Sequence, residues 1–140
     1  MLKKILVATD GSTHAKKAMD FTSDISLKYK ATVYLIHVIA PLHSVAEGYG
    51  FQQVEDNQQR VAREIIGKAE KEIKKKGVES YQSDILHGNP AQEIIEFARD
   101  NNVDMMIMGS RGAGMIETLM LGSVSHKVCH LADCTCVTVK

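Results

Sequence analysis

Short apolar runs alternate with longer, partly polar segments along the whole chain. Five of these runs are continuous enough to predict buried β-strands, because strands covered on both faces of a parallel sheet need no polar alternation. The predicted strands cover residues 4–9, 31–39, 80–86, 103–108 and 134–139.

The segments between these runs carry apolar residues at helical spacing. The first predicted helix covers residues 13–28, and the second contains Val54 to Ile73 and ends before Gly77. Asn89 and Pro90 are a typical capping residue and a first-turn proline, so they predict the start of the third helix. The fourth predicted helix covers residues 122–131.

The resulting order β-α-β-α-β-α-β-α-β predicts an α/β fold. We expect a five-stranded parallel sheet with helices on both faces, in a single domain over residues 1–140. Ligands of such sheets bind beyond the carboxyl ends of the strands, where the strand order reverses. Asp10 follows the first strand and Gly109 follows the fourth. If these two strands are neighbours, both residues face one crevice.

Glycines and hydroxyls are concentrated after the fourth strand. The chain reads Gly109-Ser110-Arg111-Gly112 and, nine residues later, Gly122-Ser123-Val124-Ser125. Backbone amides left uncovered by glycine, next to a helix N-terminus, favour phosphate. The segment is not a P-loop, and Glu117 stands where a dinucleotide fingerprint needs its third glycine. It therefore predicts a phosphate-binding loop of another kind, with simple turn formation as the alternative.

The amino-acid composition limits the classes of function that are expected for this protein. Apolar residues make up 44% of the 140 residues, which is enough for a packed core. Lys plus Arg and Asp plus Glu number 17 each, so no charge excess indicates a nucleic-acid or membrane partner. No segment reads as a signal peptide or membrane span, and three cysteines fit no disulfide framework. A reducing, cytoplasmic location is the expectation.

Potential metal ligands cluster near the C-terminus: His126, Cys129, His130, Cys134 and Cys136. The two histidines have the i, i+4 spacing that can share a metal ion. Small buried hydrophobes explain the cysteines of the last strand more simply, so no metal site built from protein ligands is predicted. Isolated histidines such as His14 and His37 are expected to be solvated or hydrogen-bonded.

Taken together, these motifs resemble the universal stress protein family in its small single-domain form, over essentially the whole chain. The spacing Gly-x-x-Gly, nine residues, Gly-Ser is typical of the nucleotide-binding branch of that family. The resemblance implies the strand order 3-2-1-4-5 and a fold similar to Rossmann-like and adenine nucleotide alpha hydrolase-like proteins. The segments that carry it are Lys4 to Ser12, Ile36-His37-Val38, Gly88-Asn89-Pro90, Met108 to Gly112 and Gly122 to Ser125.

The resemblance also implies a bound adenine nucleotide, usually ATP, with Mg²⁺ held mainly by the phosphates. Asp10 would bond the ribose, and Ala8, Thr9 and Val38 would border the adenine. Met108 and Gly109 would lie against the sugar and the first phosphate. The residues expected to hold the phosphates are Arg111, Gly112, Gly122, Ser123, Val124 and Ser125.

The predicted function is that of a stress-response protein that acts as an ATP-dependent sensor or switch. ATP would order residues 111–121 and so change a surface for an unidentified protein partner. The last strand, from Cys134 to Lys140, is expected at a sheet edge, which predicts a homodimer. The alternatives are cyclic AMP binding, a nucleotide-free interaction module, and a slow ATPase with Glu117 as its only candidate base.

Overall fold

Five parallel strands, joined by helical connections, make one sheet in the described part of the chain. The computed structural model describes residues 1–41, 50–111 and 122–140. The ends of the strands differ from the predicted ends by two residues at most. The elements are β1 (Lys4–Ala8), α1 (Thr13–Tyr29), β2 (Thr32–Ile39), α2 (Phe51–Lys75), β3 (Tyr81–His87), α3 (Pro90–Asp100), β4 (Met105–Gly109), α4 (Ser123–Leu131) and β5 (Thr135–Val139).

The strand order is β3-β2-β1-β4-β5, with all pairs parallel. The chain moves outward from β1 to β3 and then returns to place β4 on the other side of β1. Ala8, at the end of β1, is in register with Ile36 of β2 and Met108 of β4. The predicted fold class and strand order are therefore confirmed, and the order reverses at β1 and β4.

Alternate residues of each strand contribute to two hydrophobic cores, one on each face of the sheet. Ile5 and Val7 of β1 pack with α1 and α2, whereas Leu6 packs with α3 and α4. All three side chains are completely buried. This double-sided burial explains why the strands are continuous apolar runs in the sequence.

Three helices start at the carboxyl edge of the sheet with different caps. The Ser12 hydroxyl accepts the Ala15 N–H at 3.2 Å and caps α1. The Asn89 side chain accepts the Gln92 N–H at 3.1 Å and caps α3, as its position before Pro90 predicts. Gly122 precedes α4 and has no side chain to offer, so the first amides of α4 receive no side-chain cap.

Among the helices of the described residues, none combines the length and apolar character needed to cross a membrane.

Candidate functional site

A cavity of about 320 Å³ opens at the carboxyl edge of the sheet, where the strand order reverses. This volume is within the range of small-molecule sites in proteins. Residues from the ends of β1, β2 and β4 and from the starts of α1, α3 and α4 form its walls. The lining residues are Ala8, Thr9, Asp10, Ala15, His37, Val38, Pro90, Ile94, Met108, Gly109, Arg111, Gly122, Ser123, Val124 and Ser125.

The structure brings the predicted site residues together. Eleven of the twelve line this cavity, although they come from distant parts of the sequence. The twelfth, Gly112, lies outside the described residues, as does Glu117. Asp10 and Gly109 face one crevice because Ala8, two residues before Asp10, is in register with Met108, one residue before Gly109, on the neighbouring strand. Nucleotide binding by these residues stays a prediction.

The loop after β1 holds the Asp10 carboxylate in a defined position. Asp10 Oδ1 accepts the Ser12 N–H at 2.9 Å, and Thr9 Oγ1 accepts the Gly11 N–H at 3.2 Å. The Thr9 N–H donates in turn to the Ile36 carbonyl of β2 at 2.9 Å. A carboxylate fixed by its own loop can accept hydrogen bonds from ligand hydroxyls without losing side-chain freedom on binding.

His37 is a cavity residue that the sequence reasoning did not include in the site. Its Nδ1 atom lies 2.7 Å from the Thr9 carbonyl oxygen. Because a carbonyl can only accept, Nδ1 carries the proton and donates to Thr9. The imidazole thereby ties the end of β2 to the loop that carries Asp10, which agrees with the expectation of a hydrogen-bonded histidine.

One wall of the cavity is apolar. Val38 and Met108 project from strand ends, and Pro90 and Ile94 belong to the first turns of α3. The sequence marks Ile94 only as part of the buried side of a helix, because helical periodicity does not distinguish a core wall from a cavity wall. A flat, weakly polar ring system would fit against such a surface.

Other features of the cavity lining favour anions. Arg111 supplies a permanent positive charge, and the positive ends of α1, α3 and α4 all reach the lining. In the described residues Ser125 uses its hydroxyl internally, donating to the carbonyls of Gly122 at 3.0 Å and Ser110 at 3.2 Å. The backbone amides of the first turn of α4 are therefore better suited to an anion than this hydroxyl is.

Gly109 allows α1 to pack directly onto the end of β4. A Cβ atom at this position would lie 2.7 Å from the backbone carbon of His14 and 2.9 Å from the backbone nitrogen of Ala15. Both distances are shorter than van der Waals contact, so any side chain here would push the helix away. The close contact puts the first turn of α1 beside Arg111 at the cavity.

The histidine and cysteine cluster near the C-terminus is separate from this cavity. Among the described residues, no group of three or more potential ligands is arranged to hold a metal ion. The rings of His126 and His130 stack, with centroids 6.4 Å apart. Burial raises the pKa of Cys136 to about 12, so this thiol stays protonated at neutral pH and is a poor metal ligand.

The parallel sheet of order β3-β2-β1-β4-β5 with helices on both faces defines a Rossmann-like α/β fold, and the cavity lies at its switch point. A sequence profile described as the universal stress protein family matches residues 1–140. The chain therefore belongs to the universal stress protein family.

Relatives in bacteria and archaea carry the family name. Universal stress protein YxiE of Bacillus subtilis is 29% identical over 150 residues, which cover 100% of this chain and 100% of that protein. Universal stress protein MJ0531 of Methanocaldococcus jannaschii is 30% identical over 142 residues, which cover 100% of this chain and 83% of that protein.

Solved structures share the fold at low sequence identity. The universal stress protein UspA from Lactobacillus plantarum has a TM-score of 0.86 at 18% identity, covering 99% of this chain and 97% of that one. A universal stress protein from Archaeoglobus fulgidus in complex with dAMP has a TM-score of 0.75 at 18% identity, covering 100% and 98%. A family member from Arabidopsis thaliana with AMP bound has a TM-score of 0.73 at 21% identity, covering 99% and 91%.

Proposed function

We propose that this protein binds an adenine nucleotide, with ATP as the principal ligand, and acts as a nucleotide-dependent sensor or switch in a stress response. The observation that carries the proposal is the composition of one cavity. It combines an apolar wall, a positioned carboxylate, the positive charge of Arg111 and the N-termini of α1, α3 and α4. Proteins of the same fold that bind AMP and dAMP support the choice of an adenine nucleotide.

The parts of a nucleotide match the parts of the cavity. The base would lie against Val38 and its apolar neighbours, and the ribose hydroxyls would donate to Asp10. The phosphates would take the region between Arg111 and the first turn of α4. Mg²⁺ would be held mainly by phosphate oxygens, because the described residues offer no ready-made set of metal ligands.

A switch requires that ATP bind two conformations with different affinities. The family membership supports a role for such a switch in a stress response. In this proposal, an unidentified protein partner would bind one of the two conformations. Asp10 and His37 are the candidate bases among the described lining residues, but Asp10 is assigned to the ribose and His37 donates to the Thr9 carbonyl. Binding rather than hydrolysis is therefore the proposed activity, with weak ATPase activity as its upper limit.

Mass spectrometry of the small molecules released from freshly purified, heat-denatured protein tests the proposal. We expect an adenine nucleotide in the released fraction, and calorimetric titration of the emptied protein should show binding of ATP, AMP and cyclic AMP, with ATP the tightest. Titrations without heat change up to millimolar nucleotide would contradict nucleotide binding. Tighter binding of cyclic AMP than of ATP would support the proposed site but contradict ATP as its principal ligand.

His37→Phe should weaken ATP binding about fivefold, because it removes one hydrogen bond of about 1 kcal/mol that positions the Thr9–Asp10 loop. Phenylalanine keeps an aromatic ring at this position, so the strand should stay in place. Titration of the variant with ATP measures the effect. His87→Phe is the matched control, since it changes an exposed histidine at the end of the neighbouring strand β3. Equal ATP affinity in both variants would show that the contact does not position the loop.

We also propose a homodimer that forms through β5. This strand is at an edge of the sheet, and its residues after Thr135 are only partly buried. Sedimentation equilibrium at micromolar concentration should show a dimer, and Thr138→Lys should shift it toward monomer by placing a charge on the pairing strand. Gln82→Lys on the opposite edge strand, β3, is the control. Purely monomeric wild-type protein would refute the proposal.

A further inference from the structure

The last helix and the last strand bring three thiols onto one face of the sheet. Cys129 lies on α4, Cys136 lies on β5, and Cys134 directly precedes that strand. These are all the cysteines of the chain, and each is a partly buried free thiol. All three pack against the hydrophobic core between the sheet and the helices α3 and α4. They form a thiol cluster that is separate from the cavity at the switch point.

Cys129 and Cys136 are in direct contact. The Cys136 Sγ atom lies 4.0 Å from the carbonyl oxygen of Val128, the residue before Cys129. The Cys129 thiol is itself a side-chain hydrogen-bond partner of Cys136. A disulfide joins sulfur atoms at about 2.05 Å and requires side chains that point toward each other. Because the two thiols already share a hydrogen bond, their side chains meet this second condition.

Cys134 is less suited than Cys129 to join Cys136. One extended residue, Thr135, separates Cys134 from Cys136, and an extended chain rises by about 3.3 Å per residue. Their Cα atoms are therefore about 6.6 Å apart, close to the upper limit of about 6.8 Å for a disulfide. Cys134 instead lines a second cavity, of about 200 Å³, beside the end of α3. Neither Cys129 nor Cys136 is among the described residues that line this second cavity.

The environment of the pair indicates which thiol an oxidant meets first. The thiolate form of cysteine is the nucleophile, and burial raises the pKa of Cys136 to about 12, so this thiol is a poor first target. Cys129 is partly exposed on α4, where a small oxidant in solution can reach it. Oxidation of a cysteine thiol by peroxide gives a sulfenic acid, which condenses with a neighbouring thiol to a disulfide. Cys136 is that neighbour for Cys129.

We propose that Cys129 and Cys136 are a peroxide-sensitive thiol pair that forms a disulfide between α4 and β5. Hydrogen peroxide first transfers one oxygen atom to the Cys129 sulfur, which gives a sulfenic acid and a water molecule. The Cys136 sulfur then attacks the Cys129 sulfur. The S–S bond forms as the S–O bond breaks, and the departing hydroxide leaves as water with the Cys136 proton. Overall, the two thiols are oxidised by two electrons and the peroxide is reduced to water.

The disulfide would connect two elements that have other proposed roles. The first turn of α4 lines the cavity, and β5 is an edge strand of the sheet. A covalent bond would fix these two elements relative to each other under oxidising conditions. Transient, redox-sensing disulfides also occur in reducing compartments, so this pair does not require a secreted protein. The inference does not depend on nucleotide binding.

Intact-mass spectrometry after thiol alkylation tests the proposal. Reduced protein is treated with a small excess of hydrogen peroxide, then denatured and alkylated with N-ethylmaleimide. Because the disulfide consumes two of the three thiols, the protein should carry one alkyl group, and dithiothreitol before alkylation should restore all three. All cysteines lie in one tryptic peptide, residues 128–140, so a second cleavage before Asp133 separates Cys129 from the other two. The two fragments should stay linked until the disulfide is reduced.

Single alanine variants identify the pair. Cys134→Ala is the matched control and should form the disulfide like the wild type, whereas Cys129→Ala and Cys136→Ala should not form it. In Cys136→Ala, dimedone should label Cys129, because its sulfenic acid has lost the adjacent thiol. If Cys136→Ala fails to fold, the fragment linkage in Cys134→Ala decides alone, since only Cys129 and Cys136 remain in that variant.

Three outcomes would overturn the proposal. The first is three alkylated thiols in wild-type protein after a peroxide treatment that oxidises free cysteine. The second is a disulfide that is lost in Cys134→Ala or that persists in Cys129→Ala or Cys136→Ala. The third is a doubled intact mass, which would show that the thiols join two molecules instead of α4 and β5 of one.

Discussion

Gly109→Ala should destabilise the protein by about 2 to 3 kcal/mol, the upper part of the usual range for overpacking a close contact. The added methyl group would meet the backbone of α1 at 2.7 Å and 2.9 Å, and a helix backbone cannot rotate away as a side chain can. Urea denaturation monitored by circular dichroism measures the loss as a lower midpoint at unchanged slope. ATP affinity should fall as well, because α1 and β4 both line the cavity.

Gly67→Ala is the control for this substitution and should change stability in the opposite direction. Gly67 is inside α2, and a Cβ there has no heavy atom within 4 Å. Alanine should therefore stabilise the protein by about 0.5–1 kcal/mol through its higher helix propensity. If Gly109→Ala were as stable as Gly67→Ala, the tight packing of α1 on β4 would be disproved.

Gly122→Val should abolish measurable ATP binding while leaving the fold almost intact. Gly122 has φ −62° and ψ 155°, an extended conformation that valine adopts easily, so the backbone is not strained. It is buried in the cavity wall at the start of α4, and the added side chain would occupy the room that phosphates need to reach the backbone amides. The variant would lose several charge-assisted hydrogen bonds, each worth about 1.5–3 kcal/mol, and its Kd for ATP would rise above the millimolar range.

Titration with ATP, together with a thermal melt, checks this expectation. Lys127→Val adds the same side chain to an exposed position further along α4 and should bind ATP normally. If Gly122→Val bound ATP with wild-type affinity, the start of α4 would not belong to the binding site.

The order of the strands and helices could be predicted from the sequence because the pattern that indicates each element is local. Continuous apolar runs identify the strands, and Asn89 with Pro90 defines the start of α3 through capping alone. Parallel connection then requires that Asp10 and the glycines after β4 share one edge of the sheet. In the structure, this edge forms a cavity that is lined by eleven of the twelve residues selected from the sequence.

The remaining parts of the site depend on tertiary contacts that no local pattern encodes. The partner of His37 is the carbonyl of Thr9, which is 28 residues away in the loop after β1. His14 reads as an ordinary residue in the first turn of a helix, and its close contact with Gly109 becomes visible only when α1 packs on β4.

The shared orientation of α1, α3 and α4 makes the molecule electrically polar although its formal net charge is zero. The helix dipoles can therefore attract a polyanionic ligand although the chain has no excess of basic residues. Added salt should slow the association of a charged ligand through screening, even for a chain with an isoelectric point near 7.0. In stopped-flow experiments, ionic strength should thus act mainly on the on-rate.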